Sequence, residues 1–340
     1  MKKIITVLFF LIFSINFIVS CPVSPNNNNP QKGNTTETIN SFKVATILPG
    51  KLNNDGWSQG GYAGLLAIQK EFGATISYQD NIDVSGGKST QFLDKKLQEY
   101  GASGYDFIIG HDGGEFIKPL EKAAKQFPRT KFAAVGGYAG NNINLGAISF
   151  DTTEAGYLVG AIAAISSKTH KIALINGRKN ADTRDFTQST VKGIKSINSN
   201  IEIFTEWTGD FRDGEKATAS ANKTIKLGAD ILILNSSYFA EILIPLAKSA
   251  HIKAITLFND QYDANPSTVI TSLVVKYPQI YLQGATLVKQ GRWEGKQYRF
   301  GLKEGVIEIA PFRGHLTPDR EEKVNLLKQN IILGKINVSS

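Results

Sequence analysis

Cysteine is almost absent from this chain of 340 residues, in which Cys21 is the only one. Without a second cysteine no internal disulfide can form, so the fold must be stabilised by its hydrophobic core. Histidine is scarce as well, and the spacing of the four histidines is not that of metal ligands: they are His111, His170, His251 and His315. We therefore expect no metal site, and no complete motif in the sequence indicates a cofactor.

Long apolar runs and clusters of one charge are missing from the part of the chain that follows Cys21. The most apolar later stretch, Tyr157 to Ile165, has about half the length that a membrane-spanning helix needs. The formal net charge of +8 includes Lys2 and Lys3, and the other basic residues are scattered among acidic ones. Nucleic-acid binding favours a dense basic stripe with interleaved aromatic residues. We expect this part of the chain to be soluble and to bind no nucleic acid.

Catalytic motifs are incomplete. The run Ser85-Gly86-Gly87-Lys88-Ser89-Thr90 resembles the end of a phosphate-binding loop, but Ile82 stands where that pattern requires a glycine. No Gly-x-Ser-x-Gly elbow is present, and the pair His111-Asp112 has no nucleophile or second base in its vicinity in the sequence. The sequence therefore favours binding over catalysis, and we expect no enzyme activity.

The first twenty residues have the features of a secretory leader. Lys2 and Lys3 precede an apolar stretch of roughly 15 residues, which is shorter than the ~20 of a spanning helix. The run Ile18-Val19-Ser20-Cys21 resembles a bacterial lipobox, in which the cysteine is acylated and becomes the mature N-terminus. We expect residues 1–20 to be a lipoprotein signal peptide and Cys21 to carry the lipid, which anchors the protein to the bacterial cell membrane, facing the periplasm or the cell exterior. An ordinary secretory signal and an N-terminal membrane anchor are the alternatives.

Residues 21–40 are rich in Pro, Asn, Ser and Thr and contain almost nothing that a core could bury. Such a segment cannot offset the entropy lost when it becomes ordered. We expect it to be a flexible tether that holds a folded domain clear of the membrane surface.

From Phe42 onward, short β-branched runs alternate with amphipathic segments of helical length. This alternation predicts parallel βαβ units and an α/β fold with doubly wound sheets. The predicted strands lie at 43–48, 75–78, 106–110, 131–135, 147–150, 171–175, 201–206, 230–234, 253–257 and 269–272, and the predicted helices at 60–72, 89–100, 116–126, 154–166, 186–198, 214–227, 238–250, 278–289 and 319–333.

These strands are too many for one ordinary sheet, and they suit two sheets of about five or six strands each. We predict two lobes built on doubly wound parallel sheets. The N-terminal lobe would comprise residues 41–150 and about 262–295, and the C-terminal lobe residues 151–261 and about 296–340.

In doubly wound folds, ligands bind beyond the carboxyl ends of the strands. The loop after the first predicted strand brings Asn54, Asp55 and Trp57 to the start of a helix, where a ring with polar neighbours would form a stacking platform. Helix capping by Asn54 or Asp55 and core packing of Trp57 are the alternatives. Asp112 and Ser236 follow two other strands and could hydrogen-bond a ligand.

The segment Asp55-Gly56-Trp57-Ser58-Gln59, followed by Tyr62, Gly64 and Leu65, resembles the opening signature of the basic membrane protein family, the Med- and PnrA-like substrate-binding lipoproteins of ABC transporters. Further matches follow in order at Phe127-Pro128, Lys131-Phe132, Tyr157 to Ala164, Lys171-Ile172, Gly228-Ala229-Asp230, Asp260-Gln261, Thr271-Ser272, Lys276 and Gly291-Arg292-Trp293. The resemblance implies a fold like that of type I periplasmic binding proteins, with a ligand held between two lobes.

The resemblance also implies roles for individual residues. Trp57 takes the place of an aromatic residue that packs on a purine ring, Asp55 lies close by for polar contact, and Phe211 is the candidate for the opposing wall. Ser58 stands where many members have Asn, and Lys276 matches a lysine that reaches the ligand. Core packing of Phe211 and a solvated Lys276 are the alternatives.

One departure concerns the run Thr256-Leu257-Phe258-Asn259-Asp260-Gln261, where the family tends to have Gly-Val-Asp-Ser-Asp-Gln. Phe258 replaces an aspartate that the family uses on ribose hydroxyls, and a phenyl ring accepts no hydrogen bond from them. Either Asp260 takes over this role, or the ligand is a free base or another small molecule.

The resemblance predicts a monomeric, lipid-anchored receptor that captures a purine nucleoside or purine base for an ABC permease and its ATPase. Two alternatives remain at this point. The same fold could bind a sugar or another small polar solute, and a surface or adhesion lipoprotein would have no role in transport.

Overall fold

The computed structural model describes residues 41–52, 56–84 and 90–339. The expected signal peptide, the expected tether and the expected acylation site Cys21 lie outside the described residues, as do Asn54 and Asp55. Within the described residues the chain forms two six-stranded sheets flanked by helices. The same residues include no helix with the length and apolarity to cross a membrane.

The first lobe is built on one of these sheets. Its strands are β1 (Lys43–Ile47), β2 (Thr75–Gln79), β3 (Phe107–Gly110), β4 (Lys131–Val135), β5 (Leu145–Phe150) and β11 (Gln297–Phe300). They lie in the order β11-β5-β4-β3-β1-β2, and every neighbouring pair is parallel. The helices of this lobe are α1 (Gly56–Phe72), α2 (Gln91–Ala102), α3 (Ile117–Gln126) and α8 (Tyr277–Lys289).

The second lobe repeats this plan. Its strands are β6 (Lys171–Asn176), β7 (Glu202–Trp207), β8 (Ile231–Leu234), β9 (Lys253–Phe258), β10 (Val269–Val275) and β12 (Ile307–Ile309). They lie in the order β12-β10-β9-β8-β6-β7, and only β12 runs antiparallel to its neighbour β10. The helices are α4 (Thr152–Ser166), α5 (Ala181–Ile197), α6 (Gly214–Lys226), α7 (Ser237–Ser249) and α9 (Pro318–Ile332).

Strand β3 of the first sheet and strand β8 of the second are apolar throughout. All residues of β3 and β8 are buried, because helices cover both faces of a parallel sheet and leave no solvent-facing side. This is the physical reason why such strands appear in the sequence as continuous apolar runs and not as alternating ones.

Helices α4 and α5 pack with their backbones in direct contact. A Cβ atom on Gly160 of α4 would lie 2.1 Å from the carbonyl oxygen of Thr190 on α5, and one on Gly193 of α5 would lie 2.1 Å from the carbonyl oxygen of Tyr157. Both distances are far inside van der Waals contact, so only glycine permits this approach. The two helices therefore form one unit of the second lobe.

The structure confirms the predicted α/β fold with two doubly wound lobes, and each predicted strand and helix is present. Helix α5 begins earlier than predicted, at Ala181, because Asn180 and Thr183 form a capping box at its start. Strands β11 and β12 were not predicted, since they are short and carry polar residues within the runs QYRF and IEI.

The lobe boundaries differ from those expected from the sequence. Strand β10 lies in the second sheet and β11 in the first, so the chain crosses between lobes after Phe150, after Val275 and after Phe300. The predicted boundaries near residues 262 and 295 had assigned both strands to the opposite lobes. A buried parallel strand has the same composition in either sheet, and only the pairing of β10 with β9 decides its lobe.

Candidate functional site

The two lobes meet at the carboxyl ends of their strands. A Cβ atom on Gly56 at the start of α1 would lie 2.8 Å from the amide nitrogen of Asn259, which follows β9, and one on Gly137 after β4 would lie 2.7 Å from the carboxylate of Asp182 on α5. The rings of Phe150 and Phe258 meet edge to face with centroids 6.2 Å apart. In folds of this kind, ligands bind beyond the carboxyl ends of the strands. The interface between the lobes is therefore the candidate binding site.

Trp57 lies in the first turn of α1 and is half-buried. Its indole Nε1 donates a hydrogen bond of 2.8 Å to the carbonyl oxygen of His111, and Nε2 of His111 lies 2.9 Å from the carbonyl oxygen of Trp57. The two ring centroids are 4.4 Å apart, and the rings of Trp57 and Tyr277 meet edge to face with centroids 5.2 Å apart. The indole is thus held on several sides by the first lobe.

His111 belongs to a buried chain of hydrogen bonds below Trp57. Its Nδ1 lies 3.0 Å from the hydroxyl of Tyr281, which lies 3.1 Å from the hydroxyl of Thr46. Burial lowers the pKa of His111 to about 3, although its bond to the Trp57 backbone acts in the opposite direction. His111 is therefore neutral; because the Trp57 carbonyl can only accept, the imidazole proton is on Nε2, and Nδ1 accepts from Tyr281.

Ser58 and Asp112 both shape loops of the first lobe. Ser58 is fully buried, and its hydroxyl oxygen accepts a hydrogen bond of 2.9 Å from the backbone of Gly50. One carboxylate oxygen of Asp112 accepts from the backbone of Gly114 at 2.7 Å and of Phe116 at 3.3 Å, just before α3. Asp112 remains partly exposed, so one face of it stays accessible beside this turn.

On the second lobe, the ring of Phe211 lies on the backbone of Gly177 at the end of β6. A Cβ atom on Gly177 would lie 2.3 Å from the phenyl ring. Ser236, at the residue before α7, donates a hydrogen bond of 3.0 Å from its hydroxyl to the carbonyl oxygen of Phe211. Phe211 is half-buried, so its position is fixed while part of its ring remains accessible.

Two asparagines lie at the carboxyl ends of β6 and β8 in the same lobe. The amide of Asn235 donates a hydrogen bond of 3.0 Å to Oδ1 of Asn176, and both side chains are buried. The amide nitrogen of Asn176 has no hydrogen-bond partner among the described residues. Asn176 was not predicted as a site residue, although an amide residue that ends an apolar strand and precedes a glycine was a usable signal.

Phe258 has a left-handed backbone, with φ of 81°. A bulky residue seldom adopts this conformation, which costs about 1–3 kcal/mol and occurs most often at functional sites. Its ring occupies the end of β9 opposite Phe150. This part of the interface is consequently apolar.

Asp260 and Lys276 are both engaged by other charged residues. Oδ2 of Asp260 lies 2.6 Å from Nη2 of Arg313. Partial burial raises the pKa of Asp260, but hydrogen bonds from Arg313 and the backbone of Tyr262 outweigh it, so that the pKa lies below its usual value. Lys276 forms an ion pair with Glu308, and both side chains are about half exposed.

Asp182 lies between the lobes and was not among the predicted residues. It pairs with Arg299 of β11, whose Nη2 is 3.5 Å from Asp182 and 3.2 Å from Asp185. Burial raises the pKa of Asp182, and the nearby Asp185 adds to this effect, although Arg299 and the Gly137 backbone oppose it. No local sequence pattern indicates this residue, because its partners are distant in the chain.

The structure therefore places Trp57 on the first lobe and Phe211, Ser236 and Phe258 on the second, each near the carboxyl end of a strand. Most charged residues near this interface are matched by opposite charges: Asp182 by Arg299, Asp260 by Arg313 and Lys276 by Glu308. Asp112 differs, because within the described part of the chain its carboxylate accepts hydrogen bonds only from the backbone of Gly114 and Phe116. Apart from the Asp112 carboxylate, the unpaired groups named above are aromatic rings, amides and hydroxyls. Such a lining suits an uncharged ligand.

Comparison with known proteins agrees with this architecture. Residues 41–340 match the family described as "ABC transporter substrate-binding protein PnrA-like". The chain is 24% identical to the transcriptional activator protein Med of Bacillus subtilis over 83% of this chain and 86% of Med, and 25% identical to a purine-binding protein of Brucella abortus over 86% of this chain and 81% of that protein.

Among solved structures, an ABC transporter solute-binding protein of Aeropyrum pernix has a TM-score of 0.70 and 21% identity, covering 87% of this chain and 92% of its own. At this identity the likeness concerns the fold. The family match extends over all of the described residues and concerns binding proteins of transporters, not a class of enzymes. The chain therefore belongs to the PnrA-like family of ABC transporter substrate-binding proteins.

Proposed function

We propose that this protein is a lipid-anchored receptor that captures a purine base or purine nucleoside between its lobes and delivers it to an ABC permease driven by a separate ATPase. The observation that carries the proposal is the fixed position of Trp57, which is tied to His111 by hydrogen bonds in both directions. A ring held in this way at the cleft is a stacking surface that loses little conformational entropy when a ligand binds.

The second wall supports the same conclusion. Phe211 is fixed on Gly177 at the carboxyl end of β6, so each lobe contributes one anchored aromatic residue. Stacking on an aromatic side chain contributes about 1–3 kcal/mol per base, as judged from nucleic-acid-binding proteins. The Brucella abortus relative, which is named a purine-binding protein, is a further reason to propose a purine.

Charge pairing favours a neutral ligand over an anionic or cationic one. Asp260 and Lys276 are already paired with Arg313 and Glu308, and transferring a ligand charge into the cleft without a partner would be costly. A nucleotide or an amino acid is therefore a poor match to the described residues. A sugar binds best to several carboxylates with free oxygens. At the ends of β5 and β9, however, the lobes meet through the apolar rings of Phe150 and Phe258.

Closure would follow the usual hinge motion of two-lobed binding proteins, with the crossovers after Phe150, Val275 and Phe300 as hinges. A ligand that contacts both lobes shifts the population toward the closed form. The lipid on Cys21 would keep the receptor near its permease, which raises the effective concentration of the loaded form at the membrane.

The test uses the chain without its leader and with Cys21→Ser. Retained ligand is released by denaturation and identified by mass spectrometry, and the refolded protein is then titrated calorimetrically with purine bases, nucleosides, nucleotides and sugars. We expect a purine in the released material and saturable binding of a neutral purine at micromolar concentration. Binding of a sugar or a nucleotide in place of every base and nucleoside would refute the proposal.

A further inference from the structure

The carboxylate of Asp182 reaches from the second lobe to the backbone of the first. A Cβ atom on Gly137 would lie 2.7 Å from both carboxylate oxygens, so no larger residue fits there while Asp182 keeps this position. Gly136, the preceding residue, has φ of 128°, a conformation that only glycine adopts readily. The loop after β4 therefore provides the space into which Asp182 projects.

One oxygen of this carboxylate lacks a hydrogen bond. Oδ1 of Asp182 is buried and accepts none from the described residues. Its ion pair with Nη2 of Arg299 measures 3.5 Å, which is longer than the roughly 2.7–2.9 Å of a charge-assisted hydrogen bond. A buried carboxylate oxygen without a hydrogen-bond donor is unfavourable. Oδ1 of Asp182 could therefore accept a hydrogen bond from a ligand.

A complementary group lies at the other end of the β6–α5 connection. Asn176 is fully buried, and its Oδ1 accepts from Asn235. The hydroxyl of Thr187, which lies near the same Oδ1, donates more closely to the carbonyl oxygen of Thr183, at 2.7 Å. The amide nitrogen of Asn176 thus remains a donor without a partner among the described residues.

We propose that Asp182 and Asn176 are ligand-binding residues that determine specificity, with Asp182 accepting a ring N–H of the ligand and Asn176 donating to a carbonyl oxygen. This inference rests on the proposed purine site and narrows it to a substrate class. A 6-oxopurine carries a carbonyl oxygen next to a ring N–H, which matches one donor and one acceptor. A 6-aminopurine presents the reverse pattern, an amino donor next to a ring acceptor, and would leave the same buried groups unpaired.

The test compares hypoxanthine, adenine and 1-methylhypoxanthine by calorimetric titration of the full mature chain with Cys21→Ser. We expect hypoxanthine to bind at least about tenfold more tightly than the other two, because neither of these has a ring N–H next to a carbonyl oxygen. In Asp182→Asn the preference should fall below about threefold, since the charge-assisted bond is lost. Asp185→Asn is the matched control, because Asp185 pairs with the same Arg299 but is not the carboxylate that meets Gly137.

Equal affinity of the wild-type protein for the three bases would overturn the inference while leaving the purine site intact. So would equal effects of Asp182→Asn and Asp185→Asn, because both residues would then act only through Arg299. If the wild-type protein binds no purine at all, the proposed function itself fails with the inference. Methylation of the ligand leaves the protein unchanged, so this arm of the test is decisive even if a variant folds poorly.

Discussion

Trp57 and His111 are joined by two hydrogen bonds that run in opposite directions, each from the ring of one residue to the backbone carbonyl of the other. Rotation of either ring breaks the hydrogen bond that this ring donates. The pair is further held by Tyr281, whose hydroxyl meets the remaining nitrogen of His111. The proposed stacking surface is thus held in place by the first lobe alone.

Replacing Trp57 by Ala should lower the affinity for a purine by about 10- to 100-fold, which corresponds to the ~1–3 kcal/mol of one stacking contact. Trp57→Phe should retain most of the affinity. Tyr62→Ala is the control, since Tyr62 lies on the same helix but its ring packs on Tyr78. Calorimetric titration and urea unfolding of each variant separate the effects: a loss of stability with unchanged affinity would show that Trp57 is only a packing residue.

Neutral His111 makes the fold sensitive to acid. In the unfolded chain a histidine takes up a proton below about pH 6.5, whereas burial lowers the pKa of His111 in the folded state to about 3. The unfolded state therefore binds more protons, and stability decreases as the pH falls from about 6.5 toward 3, by about 1.4 kcal/mol per pH unit.

Between about pH 7.5 and pH 5, we expect the wild-type protein to lose roughly 2 kcal/mol more of its unfolding free energy than His111→Gln does. Urea denaturation at the two pH values measures this difference. His170→Gln, at an exposed position, should keep the wild-type dependence. Parallel curves for wild type and His111→Gln would contradict a neutral, buried His111.

Gly177 and Phe211 should act on the ligand as one unit. A methyl group at position 177 would overlap the phenyl ring, so Gly177→Ala displaces Phe211 and should weaken purine binding about as much as Phe211→Ala, by roughly tenfold. In the double variant the two losses should not add, because the first change already removes the stacking contact. Additive losses in the calorimetric cycle would mean that Phe211 does not contact the ligand.

Phe258 should control the choice between base and nucleoside. Phe258→Asp introduces two acceptor oxygens, and Asp tolerates the left-handed backbone at this position better than Phe does. We expect the ratio of inosine affinity to hypoxanthine affinity to rise at least about tenfold in Phe258→Asp, since a carboxylate hydrogen bond to a hydroxyl is charge-assisted. Phe258→Leu supplies no acceptor and should leave the ratio unchanged; a rise in both variants would point to space, not hydrogen bonding.

Cys21 should be the point of attachment to the membrane. Cells that express the full chain should incorporate a labelled fatty acid into the wild-type protein and not into Cys21→Ser. The variant should also leave the membrane fraction, because anchoring of this kind depends on the acyl chains. Fatty-acid labelling of Cys21→Ser would contradict the lipoprotein assignment.

The fold could be predicted from the sequence because apolar runs such as those of β3 and β8 are shaped by burial on both faces, a local property of composition. The lobe of β10 depends on its pairing with β9, and no local pattern encodes that. Among the candidate site residues, too, local patterns could be predicted and long-range pairings could not. Trp57 follows a strand in a recognisable motif, whereas Arg313 reaches Asp260 from 53 residues away and could not be anticipated.

The direct backbone contact of α4 and α5 has a mechanical consequence. Helix α4 begins immediately after the first crossover, where Asp151 caps it, and α5 carries Asp182 in its first turn. Since Gly160 and Gly193 bring the two backbones into direct contact, we expect a rotation at the crossover to carry α5 and Asp182 along with α4. The two helices would then move as one rigid body that couples the first crossover to the Asp182 carboxylate.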